Sequence, residues 1–329
     1  MPEKHDSSIN LVRADGSLLN RLLDAGHRLW PEGLDRRAYG RLDAALTKTP
    51  WGSRCRGRFA LVDRTHLLAS ALQYDLEGWL EGRAVRACGI GTIVTDPARH
   101  GLGHASALVE RLLARAAEAG AELAVLFRRT GRDEEAFPHF KPLPVAEVTL
   151  EVAESERHGA PMTMIRAGEE RDLAAIVAMG RIRAEPFRFH LDRDADFVRY
   201  AATRKRLIAG LGAPGARQLY FFIAEEGITA AAYIVVSVEG RTWTVEECGD
   251  RDPSGARVGA LLQGLIARER TERPLSIRAW LPPGFVPPQV TITSATPSAD
   301  VVMTRALAPH AARASLGASN VLYWRNDVF

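Results

Sequence analysis

The chain contains the run His100-Gly101-Leu102-Gly103-His104-Ala105, which joins an apolar strand to an amphipathic helix. Upstream, the β-branched residues 91–95 end at Asp96-Pro97, and downstream apolar residues recur at helical spacing until Gly120, a predicted left-handed helix end. Such a junction directs backbone N–H groups and the positive end of the helix dipole at one point. Because glycine has no side chain, an anion can approach the backbone closely. The run therefore predicts a loop that binds a diphosphate without any cationic side chain.

The longer segment from Pro97 to Ala105 resembles the P-x-x-[RQ]-G-x-G-x-[AG] motif of the GCN5-related N-acetyltransferases, which transfer an acyl group from acyl-CoA to an amine. His100 departs from the Arg or Gln that this family usually has. A neutral imidazole supplies less charge than a guanidinium, which predicts weaker or pH-dependent CoA binding. The resemblance implies acetyl-CoA as co-substrate. The residues expected to contact it are Ile93, Val94, Thr95, His100, Gly101, Leu102, Gly103, His104, Ala105 and Ser106.

Two other phosphate-binding loops fit the sequence less well. A dinucleotide-binding loop needs a third glycine in a G-x-G-x-x-G pattern, and Ser106 stands at that position. A nucleoside-triphosphate loop needs Gly-Lys-Ser or Gly-Lys-Thr after its glycines, and the sequence has neither. Acyl-CoA is therefore the preferred ligand.

The composition is that of an ordinary globular protein. With 329 residues, 46% of them hydrophobic and 25% charged, the chain is long enough for two domains. The net charge of +3 comes from scattered arginines, and no basic stretch is interleaved with aromatics, so no nucleic-acid partner is expected. No histidine has metal-ligand spacing, and we expect no metal. Three cysteines without a C-x-x-C pair, a polar N-terminus and no long apolar span predict a soluble, cytoplasmic protein without membrane contact.

The order of predicted elements repeats once along the chain. A polar segment with Gly159 and Pro161 separates the two copies, which predicts domains at 1–155 and 162–329. We expect an α/β (α+β) fold of two tandem acetyltransferase-like domains, each a mixed, mostly antiparallel sheet flanked by helices. In the first copy the family resemblance implies that two central strands splay apart to admit the pantetheine arm of CoA. These strands are predicted at 90–95 and 123–127, and a last strand of the first copy is predicted at 145–152.

The second copy lacks the glycine loop. At the corresponding place it has Asp250 and Asp252 and no G-x-G spacing, and carboxylates would repel a pyrophosphate. We therefore interpret this domain as degenerate and expect no CoA binding there. A helix at 255–269 would then serve packing, and the proline-rich segment 282–288 would be a rigid loop.

Further resemblances suggest the acceptor. The first half, with Trp30-Pro31-Glu32-Gly33-Leu34 and Lys48-Thr49-Pro50-Trp51, resembles the lysine N-acetyltransferases of the fungal lysine-degradation type. The tandem layout resembles the Eis-type acetyltransferases. Both groups acylate amines, which implies a small-molecule or lysine-like primary amine as substrate. The sequence carries no signal for an oligomeric state.

The catalytic groups are harder to assign. The resemblance implies a carboxylate on the strand before the loop and a tyrosine after the next strand, but the strand offers only Thr92 and Thr95 as polar groups, and His139 is the nearest replacement for the tyrosine. Glu77, with Asp75 and Glu81, is a candidate base on the preceding hairpin. The Eis-type relatives use a terminal carboxylate, which makes Phe329 a third candidate.

The apolar tail 321–329 is predicted to dock, either on the second core or in the first domain. We expect an acyl-CoA-dependent N-acyltransferase, most simply an acetyltransferase. The alternative is a non-catalytic acyl-CoA sensor or protein-interaction module.

Overall fold

The computed structural model describes residues 9–129, 137–153, 164–269 and 274–327. Within these residues, strands form two large sheets that carry helices on their faces. The strands are β1 (Ile9–Arg13), β2 (Arg56–Asp63), β3 (His66–Leu80), β4 (Arg83–Thr95), β5 (Leu123–Arg129), β6 (Lys141–Leu143), β7 (Ala146–Val152), β8 (Met164–Ala167), β9 (Phe189–Leu191), β10 (Gln218–Glu226), β11 (Thr229–Glu239), β12 (Thr242–Asp250), β13 (Ser276–Ala279), β14 (Val290–Pro297), β15 (Asp300–Ala306) and β16 (Val321–Leu322). The helices are α1 (Gly16–Leu29), α2 (Arg36–Lys48), α3 (Pro50–Cys55), α4 (His104–Glu118), α5 (Leu173–Ala184), α6 (Ala195–Leu211), α7 (Ala256–Arg268) and α8 (Pro309–Arg313).

The first sheet has the strand order β1-β2-β3-β4-β5-β15-β6. Its neighbours are antiparallel except β4 and β5, which run parallel. The short strand β9 pairs with the end of β3, and β16 pairs with β9. One face of the sheet packs against α4, and the other packs against α1, α2, α3 and α6.

Helix α4 forms because its apolar residues recur on one face. Leu108, Val109, Leu112, Leu113 and Ala116 are buried against the sheet, whereas Glu110 and Arg111 are exposed. The helix ends before Gly120, whose φ of 90° is left-handed, as the sequence predicts. This packing fixes the position of the helix N-terminus beside the end of β4.

The second sheet has the order β14-β7-β13-β12-β11-β10-β8. Its one parallel pair among the described residues is β12 with β13, which matches the central parallel pair of the first sheet. Helices α5 and α7 pack on strands β11 and β12. The expected fold class, two mixed and mostly antiparallel sheets flanked by helices, is confirmed.

The halves of the chain exchange strands. β7, from the first half, pairs with β13 and β14 in the second sheet, and β15, from the second half, pairs with β5 and β6 in the first sheet. The sequence places the strand at 145–152 correctly but assigns it to the wrong sheet. The parallel strand β5 thus has β15 of the second half as its other neighbour, and the parallel strand β13 has β7 of the first half. The boundaries 1–155 and 162–329 stay a prediction, and they do not separate the two sheets.

Candidate active site

The glycine loop lies between β4 and α4, where the sequence predicts it. A single turn of 3₁₀ helix at 97–99 follows the strand, and Gly101 and Gly103 adopt φ values of 80° and 75°. A Cβ atom built on either glycine would meet no heavy atom within 4 Å. Gly103 is the N-cap of α4 and offers no side chain to its first N–H groups. The backbone therefore borders open space at the positive end of the helix, which is the geometry a diphosphate needs.

The ten residues predicted to contact CoA lie at the end of β4, in the glycine loop and in the first turn of α4. The side chain of Val94 is buried in the sheet, whereas Leu102 is 66% exposed beside the loop. The Nε2 atom of His104, in the first turn of α4, is buried and has no hydrogen-bond partner among the described residues. An unpartnered ring nitrogen next to the glycine cradle fits a bound polar ligand. The contacts of these residues with CoA remain a prediction.

Strands β4 and β5 separate at the level of the loop. Their parallel pairing ends at Ile90 and Leu126, although both strands continue, to Thr95 and Arg129. The fork between their ends leads from the glycine loop to the opposite face of the sheet. The separation lies where the family resemblance implies that the pantetheine arm of CoA enters.

A β-bulge marks the fork. Ser70 of β3 is opposite Val94, but Leu72 is opposite Gly91, so that β4 contains one extra residue between these pairs. Thr92 lies in the bulge with a φ of 48°, a left-handed conformation that is rare for a β-branched residue. Strain of this kind is typical of functional sites, because the surrounding fold must hold it in place.

A cavity of about 230 Å³ opens at the fork and is lined by both halves of the chain. Thr92 and Phe127 form its floor from the two separated strands. Charged side chains of both signs form its walls: Glu32, Arg204, Lys205, Arg217, Glu239, Glu246, Asp300 and Arg325. The opening between the two strands therefore leads into a cavity with polar walls.

Glu246 is the most tightly held carboxylate of this cavity. It accepts hydrogen bonds from Lys205 Nζ at 2.8 Å and from Ser237 Oγ at 2.6 Å. Burial opposes its ionisation, but the Lys205 ammonium outweighs burial and lowers the pKa of Glu246. Glu246 therefore stays ionised at neutral pH and keeps Lys205 in place.

Glu32 is held more loosely. Among the described residues, its carboxylate accepts one hydrogen bond, of 3.3 Å, from Arg204. The residue has a φ of 53° and forms, with Gly33, a tight turn in which Leu34 N donates to Pro31 O at 2.8 Å. This turn directs Glu32 toward the cavity wall, beside the bulge at Thr92.

The predicted catalytic residues lie elsewhere. Glu77 is exposed on β3, where its backbone oxygen accepts from Asp192 N, and it does not line the cavity at the fork. His139 is exposed in the turn before β6. Phe329 lies outside the described residues. The structure therefore does not bring Glu77 and His139 together, and the catalytic roles of all three residues remain untested predictions.

The tail docks on both halves, rather than on one of the two surfaces considered from the sequence. Trp324 is buried in the core of the second half. Tyr323 packs edge-on against Phe127 of β5 at a ring distance of 5.9 Å. Arg325 lines the cavity at the fork, whereas Asp327 is buried beside Arg193, whose Nε lies 3.0 Å from its Oδ1. The tail thus contributes an arginine to the cavity.

The corresponding loop of the second half is closed. Gly255, the N-cap of α7, has a φ of 74°, but a Cβ atom there would lie 2.5 Å from the Phe285 ring. The carboxylate of Asp250 accepts hydrogen bonds from Arg257 N at 2.8 Å and from Val258 N at 3.3 Å. The chain's own carboxylate therefore occupies the place that an anion would take at this helix.

Neither a metal site nor a membrane span is found in the part of the chain that the structure describes. No three His, Cys, Asp or Glu side chains there form a group suited to a metal ion. None of the helices there is long and apolar enough to cross a membrane.

Comparisons with known proteins agree with this geometry. Residues 48–130, which include β4, the glycine loop and α4, match the family model described as an acetyltransferase (GNAT) domain. This part of the chain is therefore similar to a GNAT acetyltransferase domain, in line with the resemblance of the glycine motif. No curated protein matches the sequence at a significant level.

Solved structures share the fold over nearly the whole chain. A protein of unknown function from Enterococcus faecalis, described as a probable N-acyltransferase, is 13% identical with a TM-score of 0.66, over 91% of this chain and 72% of that one. Eis1 from Mycobacterium abscessus is 15% identical with a TM-score of 0.56, over 92% and 74%. The N-myristoyltransferase of Saccharomyces cerevisiae, solved with bound myristoyl-CoA, is 8% identical with a TM-score of 0.54, over 93% and 84%. The chain thus shares the fold of these structures.

Proposed function

We propose that this protein is an acyl-CoA-dependent N-acyltransferase, most simply an acetyltransferase, that acts on a primary amine of a small molecule or lysine-like substrate. The observation that carries the proposal is the open glycine cradle at the N-terminus of α4, next to the fork between β4 and β5. The likeness to N-acyltransferases supports the same reaction class.

The cradle residues fit the co-substrate. Gly101 and Gly103 leave space beside the backbone, and the helix N-terminus favours two phosphate charges there. When bound, acyl-CoA supplies the thioester whose acyl group is transferred. The fork and the bulge at Thr92 would then hold the reacting end at the entrance to the cavity.

Glu32 is the carboxylate best suited to receive a proton from the amine. Amines of the lysine type are mostly protonated at neutral pH and must lose a proton before they attack. Glu32 lines the cavity together with Thr92 and has one long hydrogen bond, whereas Glu246 is engaged by Lys205 and Ser237. Glu77 and His139 remain alternative proposals that require contacts outside this cavity.

The first test replaces a glycine of the cradle by aspartate. Gly103→Asp places a side chain and a negative charge where the diphosphate would lie, and we expect the Kd for CoA, measured by calorimetry, to rise by about 100-fold or more. Gly82→Asp is the matched control, since Gly82 has a φ of 76°, equally open surroundings and a position in the β3–β4 hairpin. Equal CoA affinity of the two variants would contradict the proposal.

The second test measures turnover. Thiol release from acetyl-CoA should occur with at least some members of a panel of primary amines, and Glu32→Gln should lower kcat more than it changes the Kd for CoA. CoA binding without thiol release against any amine would favour the alternative, an acyl-CoA sensor without catalysis.

A further inference from the structure

A narrow pocket of about 50 Å³ leads from the fork toward β2 and α2. We propose that this pocket binds a carboxylate of the acceptor, so that the substrate is a primary amine that also carries a carboxylate group. The inference rests on the proposed acyl transfer and adds the chemical class of the acceptor. We call this site the arginine pocket; its lining includes Arg56, Arg58 and Asp43 together with Tyr39, Leu72 and Thr92.

The arginine pocket carries a buried positive charge. Arg56 and Arg58 both donate to Oδ1 of Asp43, with Arg58 Nη2 at 2.7 Å, and the three side chains are at most 8% exposed. The two guanidinium groups hold the pKa of Asp43 below its ordinary value although burial opposes this, so that Asp43 stays ionised. One carboxylate therefore neutralises only one of two buried cations.

The surrounding groups do not remove this charge. Arg56 Nη1 donates to the neutral Thr47 hydroxyl at 2.7 Å. Burial raises the pKa of Tyr39, whose ring also lines the pocket, so that its hydroxyl remains uncharged. Glu32, at the mouth, already pairs with a third cation, Arg204. The pocket and its mouth thus contain three arginines, Arg56, Arg58 and Arg204, but only two carboxylates, those of Asp43 and Glu32.

One donor of this cluster is left over. Arg56 Nε is buried and has no hydrogen-bond partner among the described residues. An unsatisfied buried donor on a charged group is costly, and an anion in the pocket would satisfy it. A carboxylate has the size and the planar geometry that guanidinium groups prefer.

The pairing of strands gives the distance between the charge and the fork. Arg58 of β2 is opposite Leu72 of β3, and Leu72 is opposite Gly91 of β4, the residue before Thr92. Two strand spacings separate the arginines from the bulge, about 10 Å. Leu42, Leu46 and Leu72 line the path. A linear amino carboxylate such as lysine or 6-aminohexanoate would therefore place its carboxylate among the arginines, its methylene groups on the leucines, and its amine beside Thr92 and Glu32.

The proposal is tested with matched acceptors. We expect kcat/KM for acetyl transfer to 6-aminohexanoate to exceed that for hexylamine by about 30-fold or more, and the same preference for lysine over cadaverine, because only the first member of each pair carries the carboxylate. Equal values within both pairs would overturn the carboxylate site while leaving acyl transfer established.

An arginine variant separates recognition from folding. Arg56→Lys keeps the charge but loses Nε, and we expect the carboxylate preference to fall about 10-fold with unchanged Kd for CoA. Arg166→Lys is the control, since Arg166 is a largely buried arginine that pairs with Asp172 and Glu225 in the second half. It should lower stability and leave the preference unchanged. An equal loss of preference in both variants would indicate a purely structural role and overturn the proposal.

A binding measurement distinguishes the failure of this inference from the failure of the proposed function. If no amine is acetylated, calorimetry can still measure whether the arginine pocket binds a carboxylate, by titration with millimolar hexanoate and with neutral hexanamide. Saturable binding of hexanoate alone, weakened in Arg56→Lys, would support the pocket without catalysis. Absence of hexanoate binding together with absence of turnover would overturn both proposals.

Discussion

Thr92 lies at the fork in an unfavourable backbone conformation. A β-branched side chain at a φ of 48° is destabilising by about 1–3 kcal/mol, and the bulge exists because β3 and β4 pair on both sides of it. The conformation of Thr92 therefore lowers local stability, but it sets the position of the backbone at the entrance to the cavity.

Replacing Thr92 by glycine should separate the two effects. Thr92→Gly relieves the strain, so that the free energy of unfolding in urea should stay constant or rise by up to about 1 kcal/mol, while kcat falls because the bulge is less rigid. Thr95→Gly, on the same strand but without a positive φ, should instead lose about 1 kcal/mol. A loss of stability in Thr92→Gly equal to that in Thr95→Gly would contradict this account.

Asp327 makes the stability of the protein depend on pH. Burial raises its pKa from 3.8 to about 6, and Glu247 adds to this effect although Arg193 opposes it. Between these values the folded protein holds a proton that the unfolded chain has lost, so this group's contribution to stability falls as pH rises. From pH 4.5 to 7 the fall is about 2 kcal/mol.

The pH dependence is tested with Asp327→Asn. Urea unfolding of the wild type and the variant at several pH values should give a difference in unfolding free energy that changes by about 2 kcal/mol between pH 4.5 and 7, in favour of the variant at the higher pH. A difference that stays constant over this range would show that Asp327 titrates at its ordinary pKa.

For individual residues, the sequence predicts the glycine cradle but not the cavity at the fork. Gly101 and Gly103 are recognisable because their spacing is local. Glu32 and Arg204 are 172 positions apart, and no periodicity indicates that they meet. The left-handed turn at Glu32-Gly33 is the signal that was available, since a Pro-Glu-Gly sequence favours a turn.

Helices α4 and α7 are the same supersecondary element in two different surroundings. Both follow a strand, both begin after a left-handed glycine, and both bury one apolar face. They differ in what meets the N-terminus: open space at α4, and the carboxylate of Asp250 with the ring of Phe285 at α7. The sequence suggests repulsion of a pyrophosphate by Asp250, whereas the structure adds that Asp250 caps the helix.

Removing this cap should cost stability without affecting the first half. Asp250 is 3% exposed and accepts from Arg257 N and Asp252 N, each at 2.8 Å. Asp250→Ala leaves these partly buried donors unsatisfied, and the free energy of unfolding should fall by about 2–3 kcal/mol with unchanged Kd for CoA. Asp252→Ala, which removes one hydrogen bond to Ser254 N, should cost less than about 1 kcal/mol. Similar losses in the two variants would contradict the capping role.

The exchange of β7 and β15 makes the two halves one folding unit. Without β15 the parallel strand β5 would have an open edge, and without β7 the same would hold for β13. The element order follows from hydrophobic periodicity, and most predicted elements are present. The pairing does not follow, because an alternating strand pattern specifies a face and not a neighbour.

Separate expression of the halves tests this unit. A chain of residues 1–153 should fail to bind CoA and should aggregate when produced alone, whereas its production together with residues 164–329 should restore CoA binding to within about 10-fold of the intact chain. If residues 1–153 alone are monomeric, folded and bind CoA as tightly as the intact protein, β15 is dispensable and the halves are independent.

The strand exchange also sets the order of events on the ribosome. Strand β5 ends at Arg129, and β15, its neighbour on the side opposite β4, begins only at Asp300. The first sheet therefore lacks β15 until most of the chain has been synthesised. At usual elongation rates this interval is roughly 10 to 30 s, long compared with hydrophobic collapse. During it, the nascent first half exposes an apolar strand edge to its surroundings. Its protection by a chaperone, rather than its intrinsic stability, would then limit the yield of native protein.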